Sequence, residues 1–169
     1  SAGGGGGGWT EISDQTITGT PTSITFGSLD LSAYRVVRLE IYNVKRSNNL
    51  YTYLETSSDG FTTTDSWLLN VLVSLDNTTT DYYRSSSTTV LHFAPHNQWN
   101  LVTYGVSGYI DFIVNNEKVL VNGLAVTYDD SDAAIQWSGI IDVATFTGLR
   151  IRADSGTFSS GTFRLVGMA

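Results

Sequence analysis

Cysteine is absent from the 169-residue chain, and lysine occurs only at Lys45 and Lys118. Without cysteine the chain forms no disulfide, cysteine-ligated zinc or iron–sulfur centre, and it has no thiol nucleophile. Packing must therefore supply the stability, and a chain of this length fits one domain that buries about two-thirds of its unfolded surface. Charged residues make up only 15% of the chain, while Ser, Thr and Gly are frequent. This composition is typical of a β-rich protein.

Basic residues are too few and too scattered to form a nucleic-acid surface. The net charge is −7, whereas binding to phosphates needs a basic stripe that displaces their counterions. No apolar run approaches the ~20 residues of a membrane-spanning helix, and the N-terminus lacks the basic and apolar regions of a signal peptide. We therefore expect no nucleic-acid partner, no leader and no membrane insertion.

Alternation of apolar and polar residues is clearest in "YRVVRLEIYNV", where Val37, Leu39 and Ile41 alternate with polar residues. This period of two predicts a strand with one buried face. Similar runs recur in "SITFG", "YIDFIVN", "GLRIRA" and "GTFRLVGM", separated by turn signals such as "SSDG" and "YGVSG". The spacing predicts an all-β fold, an antiparallel two-sheet β-sandwich of jelly-roll-like form with about nine or ten strands.

The segment "SWLLNVLVSLD" fits two structures. In a helix, Leu68, Leu72 and Leu75 would lie on one face. In a strand, every second residue from Trp67 to Leu75 would face the core, namely Trp67, Leu69, Val71, Val73 and Leu75. The preceding "TTTD" could cap such a helix. The strand is the interpretation that we favour.

Catalytic patterns are weakly represented. His92 and His96 are the only histidines, and their spacing matches no nucleophile motif, so we expect no enzyme activity and no cofactor. Carboxylate pairs for glycoside hydrolysis are defined by their separation in space, and a polar turn is the simpler interpretation of each candidate. The "YDDSDAA" segment offers oxygen ligands of the kind calcium prefers but lacks the EF-hand pattern, and a turn is again favoured over a metal site. The carboxylates considered are Asp111, Asp129, Asp130, Asp132 and Asp142.

Aromatic residues are a more informative signal. Rings beside Asp, Asn and Arg can stack on sugars, or they can fill a subunit interface, where Tyr, Trp and Arg are enriched. The interface is the favoured interpretation for any one of them. The candidates for glycan or interface contacts are Tyr82, Tyr83, Trp99 and Tyr104.

Six glycines precede Trp9 and form the only low-complexity segment: Gly3, Gly4, Gly5, Gly6, Gly7 and Gly8. Fixing such a run costs on the order of 6–12 kcal/mol, because glycine loses the most backbone freedom. The run is therefore either a flexible linker or an element ordered only within an assembly, for example around a threefold axis. We assign residues 1–8 to an attachment arm, with Trp9 as the anchor at its junction, and residues 9–169 to one β-sandwich domain.

From Trp9 to the C-terminus the pattern resembles a family of small structural domains of tailed bacteriophages, often found at the ends of fibre-type proteins. The resemblance is carried by the Gly run with Trp9, by "SITFGSLDLSAYRVVRLEIYNV", "SSDG", "SGYIDFIVNN" and "VTYDD", and above all by the ending "FTGLRIRADSGTFSSGTFRLVGM". The section from about Asp59 to Trp99 departs from the pattern. Similar small spikes occur on phage-derived gene transfer particles.

The resemblance implies a non-enzymatic virion protein at the particle surface, of the head-fibre, tail-fibre or decoration type. Its expected partners are other virion proteins and copies of itself in a homotrimer, with host-surface polysaccharide as a secondary partner during adsorption. Two alternatives stay open. One is a carbohydrate-binding module or glycan-active enzyme, and the other is a capsid cement with no receptor.

Overall fold

The computed structural model describes residues 8–48, 51–75, 79–88, 91–94, 102–127 and 133–169, with the backbone alone at residues 69, 73–75, 79–88, 91–94 and 133. These residues form twelve β-strands, as the all-β prediction requires. The strands are β1 Thr10–Thr16, β2 Ser23–Phe26, β3 Val36–Arg46, β4 Thr52–Ser57, β5 Trp67–Leu75, β6 Thr79–Thr88, β7 Leu91–Ala94, β8 Val106–Val114, β9 Val119–Thr127, β10 Ala133–Ile141, β11 Gly148–Ala153 and β12 Phe158–Met168.

The strands form two antiparallel sheets. The large sheet has eight strands in the order β1-β12-β3-β8-β9-β10-β5-β6, and the small sheet has four in the order β2-β11-β4-β7. Their inner faces share one apolar core, to which β3 contributes Val37, Leu39 and Ile41, each at most 1% exposed. The predicted two-sheet sandwich is confirmed.

Eight of the strands have jelly-roll connectivity. When β5, β6, β9 and β10 are set aside, the large sheet reads β1-β12-β3-β8 and the small sheet β2-β11-β4-β7. The chain then crosses between the sheets at every step except β4 to β7, which is the double Greek key of a jelly roll. The other four strands are insertions that extend the large sheet beyond β8.

The segment "SWLLNVLVSLD", which fitted both a strand and a helix, contains strand β5. Trp67 and Val71 are buried, and Leu68 and Leu72, which follow them, are exposed. This is the period of two expected for a strand. The backbone pairs with β10 on one side and β6 on the other. The helical alternative is wrong, because the backbone of β5 is paired with a neighbouring strand on each side.

The described residues form twelve strands, where the sequence predicts nine or ten. Among the strands that no named run predicted, β1 (TEISDQT) and β6 (TTDYYRSSST) are polar and lie at the two edges of the large sheet. Edge strands carry polar residues that suppress unwanted pairing, and this hides the apolar alternation on which strand prediction depends.

The strand ends meet at two poles of the sandwich. At the first, which we call the arm pole, β1 begins and β12 ends, and the Arg35 N–H donates to Met168 O over 2.9 Å. At the opposite loop pole, the Ser47 N–H donates to Thr157 O over 2.9 Å. The first and last described residues, Gly8 and Ala169, therefore both lie at the arm pole.

Arg46 fastens the loops of the loop pole to the end of β3. Its side chain is only 1% exposed, and its guanidinium donates to Tyr51 O at 2.7 Å, to Thr52 Oγ1 at 2.8 Å and to Ser155 O. Burial lowers the pKa of Arg46 from its usual value, and the three acceptors compensate for the lost hydration.

Replacing Arg46 by Met should lower the free energy of unfolding by about 1–3 kcal/mol, because the buried acceptors lose their donor. Chemical denaturation measures this change. Hydrogen exchange should show the Ser47 and Asp154 amides opening faster. The exposed Arg35, replaced by Met in the same way, is the control for loss of an arginine. Equal stability of the Arg46→Met protein and the wild type would contradict this role.

Candidate functional site

A cluster of side chains on the outer face of the large sheet contacts Trp9, the residue that directly precedes β1. Arg38 on β3 and Asp111 on β8 are directly paired across the strands, and the guanidinium grips the carboxylate with two bonds, Nε to Oδ1 at 2.6 Å and Nη2 to Oδ2 at 2.8 Å. Such a bidentate pair fixes the plane of the guanidinium. The bonds to Asp111 raise the pKa of Arg38 above its usual value.

The fixed guanidinium lies between two aromatic rings. Its central carbon is 4.4 Å from the ring centre of Trp9 and 4.3 Å from that of Tyr109. Cation–π contacts of this kind contribute about 0.5–1 kcal/mol when exposed and about 2 kcal/mol when desolvated. Trp9 is 40% exposed, so Arg38 is the contact that holds its ring on the sheet. We call Trp9, Arg38, Tyr109 and Asp111 the Trp9 clamp.

The clamp determines where the glycine arm leaves the sandwich. Trp9 directly precedes β1, and Gly8 before it is exposed at the arm pole. In the structure Trp9 contacts Arg38, and its role as the anchor of an attachment arm stays a prediction. Gly3 to Gly7 lie outside the described residues. Arg38 and Tyr109 were missed from sequence, although both occupy polar positions of strands whose alternate residues are buried.

The carboxylates considered for catalysis are dispersed. Asp111 is not the turn residue that its sequence suggests, because it sits within β8 and is engaged by Arg38. Asp142 follows β10 and forms an exposed pair with Lys118, with 2.8 Å between Nζ and Oδ1. Asp129, Asp130 and Asp132 lie outside the described residues. Within the described part of the chain, no three His, Asp or Glu side chains are grouped as metal ligands would be.

The aromatic candidates fall in different places. Tyr82 and Tyr83 lie on β6, where their backbones pair with Leu72 and Val71 of β5, and their side chains are outside the description, as is all of Trp99. Of the histidines, His92 lies on β7 opposite Tyr53, and His96 is not described.

Tyr104 is the one aromatic candidate whose side chain can be located. It lines an open concavity of about 350 Å³ near the loop pole, together with Asn43, Lys45, Thr103, Gly105 and Ser107. Asn43 has a left-handed backbone (φ 47°) at a bulge of β3, and its N–H donates to Ser107 Oγ at 2.9 Å. Strained residues at bulges often aim side chains at ligands, so this concavity is a candidate recognition surface.

No protein-family model, curated protein or solved structure matches the chain. Among the described residues there is also no helix with the length and apolar character that crossing a membrane requires.

Replacing Arg38 by Ala should release the Trp9 ring and shift the tryptophan emission to longer wavelength. It should also cost about 1–3 kcal/mol of stability, since the half-buried Asp111 loses its partner. Arg164→Ala is a matched control, because Arg164 pairs with Glu40 at 2.6 Å on the same face and contacts Tyr42 instead of Trp9.

The same change in a Trp9→Phe background isolates the contribution of Trp9. There, Arg38→Ala should produce no further shift in emission. An equal shift in both backgrounds would mean that another tryptophan reports the change, and the clamp would be refuted.

Proposed function

We propose that this chain is a non-enzymatic structural protein displayed on the surface of a bacteriophage or phage-derived particle, to which its glycine-rich N-terminal arm attaches it. The observation that supports this most directly is the Trp9 clamp, which fixes the junction between arm and sandwich. The pattern shared with phage fibre and decoration domains supplies the class of particle.

The placement of the chain ends fits a displayed domain. The arm leaves from the arm pole, where β12 also ends, so attachment at this pole directs the loop pole away from the particle. A tether needs a firm point of origin, and the Trp9 clamp supplies one. The glycine run beyond it can follow a surface closely because it has no side chains.

Asp111 is unsuited to the catalytic role that the glycan-active alternative would give it. Both of its carboxylate oxygens accept hydrogen bonds from Arg38, and an acid or nucleophile of a glycosidase must instead face the sugar. Its contacts thus give it a structural role in the clamp.

A secondary role in host recognition is favoured by the concavity around Tyr104. An aromatic ring beside the Asn43 amide, the Lys45 ammonium and the Ser107 hydroxyl combines a stacking surface with hydrogen-bond donors and acceptors, which suits a polysaccharide. Its position near the loop pole would place it away from the particle. A capsid cement, the remaining alternative, would have no use for this surface.

An antibody against the sandwich should detect the chain in purified particles from the source strain. In reconstitution, protein lacking residues 1–8 should not bind particles depleted of the chain, whereas full-length protein should. The truncated protein must keep its unfolding transition, which shows that the sandwich is intact. Absence of the chain from purified particles would refute the proposed function, and binding of the truncated protein would refute the role of the arm.

Replacing Tyr104 by Ala should weaken binding to host-surface polysaccharide about tenfold or more, because stacking on an aromatic ring is lost. A pull-down with polysaccharide from the host cell surface measures this. Tyr42→Ala is the control, since Tyr42 is exposed on the outer face of the large sheet. If the wild-type protein binds no host glycan, the recognition role is refuted while the attachment proposal is untouched.

A further inference from the structure

The outer face of the large sheet is unusually apolar for a surface. The described large hydrophobic side chains that are exposed all lie on this face, apart from Val102, and they are Trp9, Tyr42, Leu68, Leu72, Ile113, Leu120 and Leu124. Single exposed apolar residues are common, but a contiguous group marks an interaction surface.

Three neighbouring strands in the half of this sheet that ends at β6 carry no charge. β9 (VLVNGLAVT), β10 (AAIQWSGII) and β5 (WLLNVLVSL) contain no acidic or basic residue. Strands that are apolar on both faces are typical of sheets covered on both sides. Their inner faces are buried, with Trp137 at 0% and Trp67 at 2% exposure, so the pattern predicts a second cover outside.

The strands β5 and β9 present the same triplet on this outer face, on either side of β10. Strand register places the residues in three rows. The first row is Leu120–Ile140–Leu68, the second Asn122–Ser138–Asn70 and the third Leu124–Gln136–Leu72. The first row continues through Ile113 and Val36 toward the arm pole. We call these nine residues the triplet face.

We propose that the triplet face packs against a second copy of this chain. Leucine pairs lie on both sides of a middle row of amides and a hydroxyl, so a copy turned by a twofold axis along β10 sets β5 of one copy against β9 of the other, and each row then meets its own kind. Asn122 and Ser138 are exposed, and each carries a donor and an acceptor, so the middle row can bond to its own kind. This inference rests on the proposed function and deepens it, because it names a second copy of the chain as a partner of the displayed sandwich.

Charge and symmetry favour a second copy over a charged partner. The strands β5, β9 and β10 carry no acidic or basic residue, so two copies of a chain with net charge −7 can meet there without opposing like charges. The exposed charges beside Leu68 and Ile140 are those of Lys118 and Asp142, which are paired with each other. The matching triplets of β5 and β9 make the face complementary to itself about an axis along β10.

Light scattering of the full chain should give the mass of an oligomer, and Leu120→Arg should raise its dissociation constant roughly 30-fold or more, because an unpaired charge would be buried. Leu124→Ser is a milder second variant that tests the same face without a new charge. Thr25→Arg is the matched control on the exposed face of the small sheet, and it should leave the mass unchanged. Circular dichroism confirms that each variant keeps its strands.

The lack of cysteine allows a second measurement on the same preparations. A single cysteine at Asn122 should react several-fold more slowly with a bulky maleimide than one at Thr25, and the two rates should converge when Leu120→Arg is added.

The results separate this inference from the arm. A wild-type monomer overturns the triplet-face proposal. If Asn122→Cys is nevertheless shielded in that monomer, another part of the same chain covers the face. An oligomer that survives Leu120→Arg and Leu124→Ser but is lost without residues 1–8 also overturns it, and makes the arm the assembly element. Neither result affects the detection of the chain on particles, which tests the proposed function alone.

Discussion

The unequal width of the two sheets is the constraint on which the rest of this structure depends. A large sheet of eight strands faces a small sheet of four, and all of the additional strands extend the large sheet beyond the jelly-roll core. Their inner faces bury bulky residues, with Trp67 set edge-on to Phe112 at 6.4 Å between ring centres. Because their outer residues are also apolar, the extension that completes the core creates the exposed face as well.

Charges on the outer surfaces of the sandwich are largely paired within each sheet. On the large sheet, Arg38 binds Asp111 and Arg164 binds Glu40, and on the small sheet the buried Glu55 accepts from both Arg150 and Arg152. Pairs of this kind fix side-chain geometry more than they add stability. Their main consequence is that Arg38 is rigid enough to hold Trp9, and that the adjoining triplet face is left electrically neutral.

The fold was largely predictable, since a buried inner face imposes a period of two that Val37, Leu39 and Ile41 display openly. The polar edge strands β1 and β6 lack this period, and no named run predicted them, nor β7, β9 and β10. The clamp could not be predicted, because Arg38 and Asp111 are 73 residues apart and only strand register brings them together. The triplet face was hidden for the same reason: its leucines belong to β5 and β9, which are separated in sequence and meet only through β10.

An attachment arm and an interface would meet different physical needs of the displayed domain that we propose. A glycine-rich tether suits attachment over a variable path, but such a tether transmits little orientation because glycine has great backbone freedom. Orientation must then come from contacts of the sandwich itself. The apolar first row of the triplet face runs through Ile113 and Val36 toward the strand ends where the arm begins. Two copies related by an axis along β10 would have their arms at the same pole, and two tethers acting from a common base bind more firmly than one.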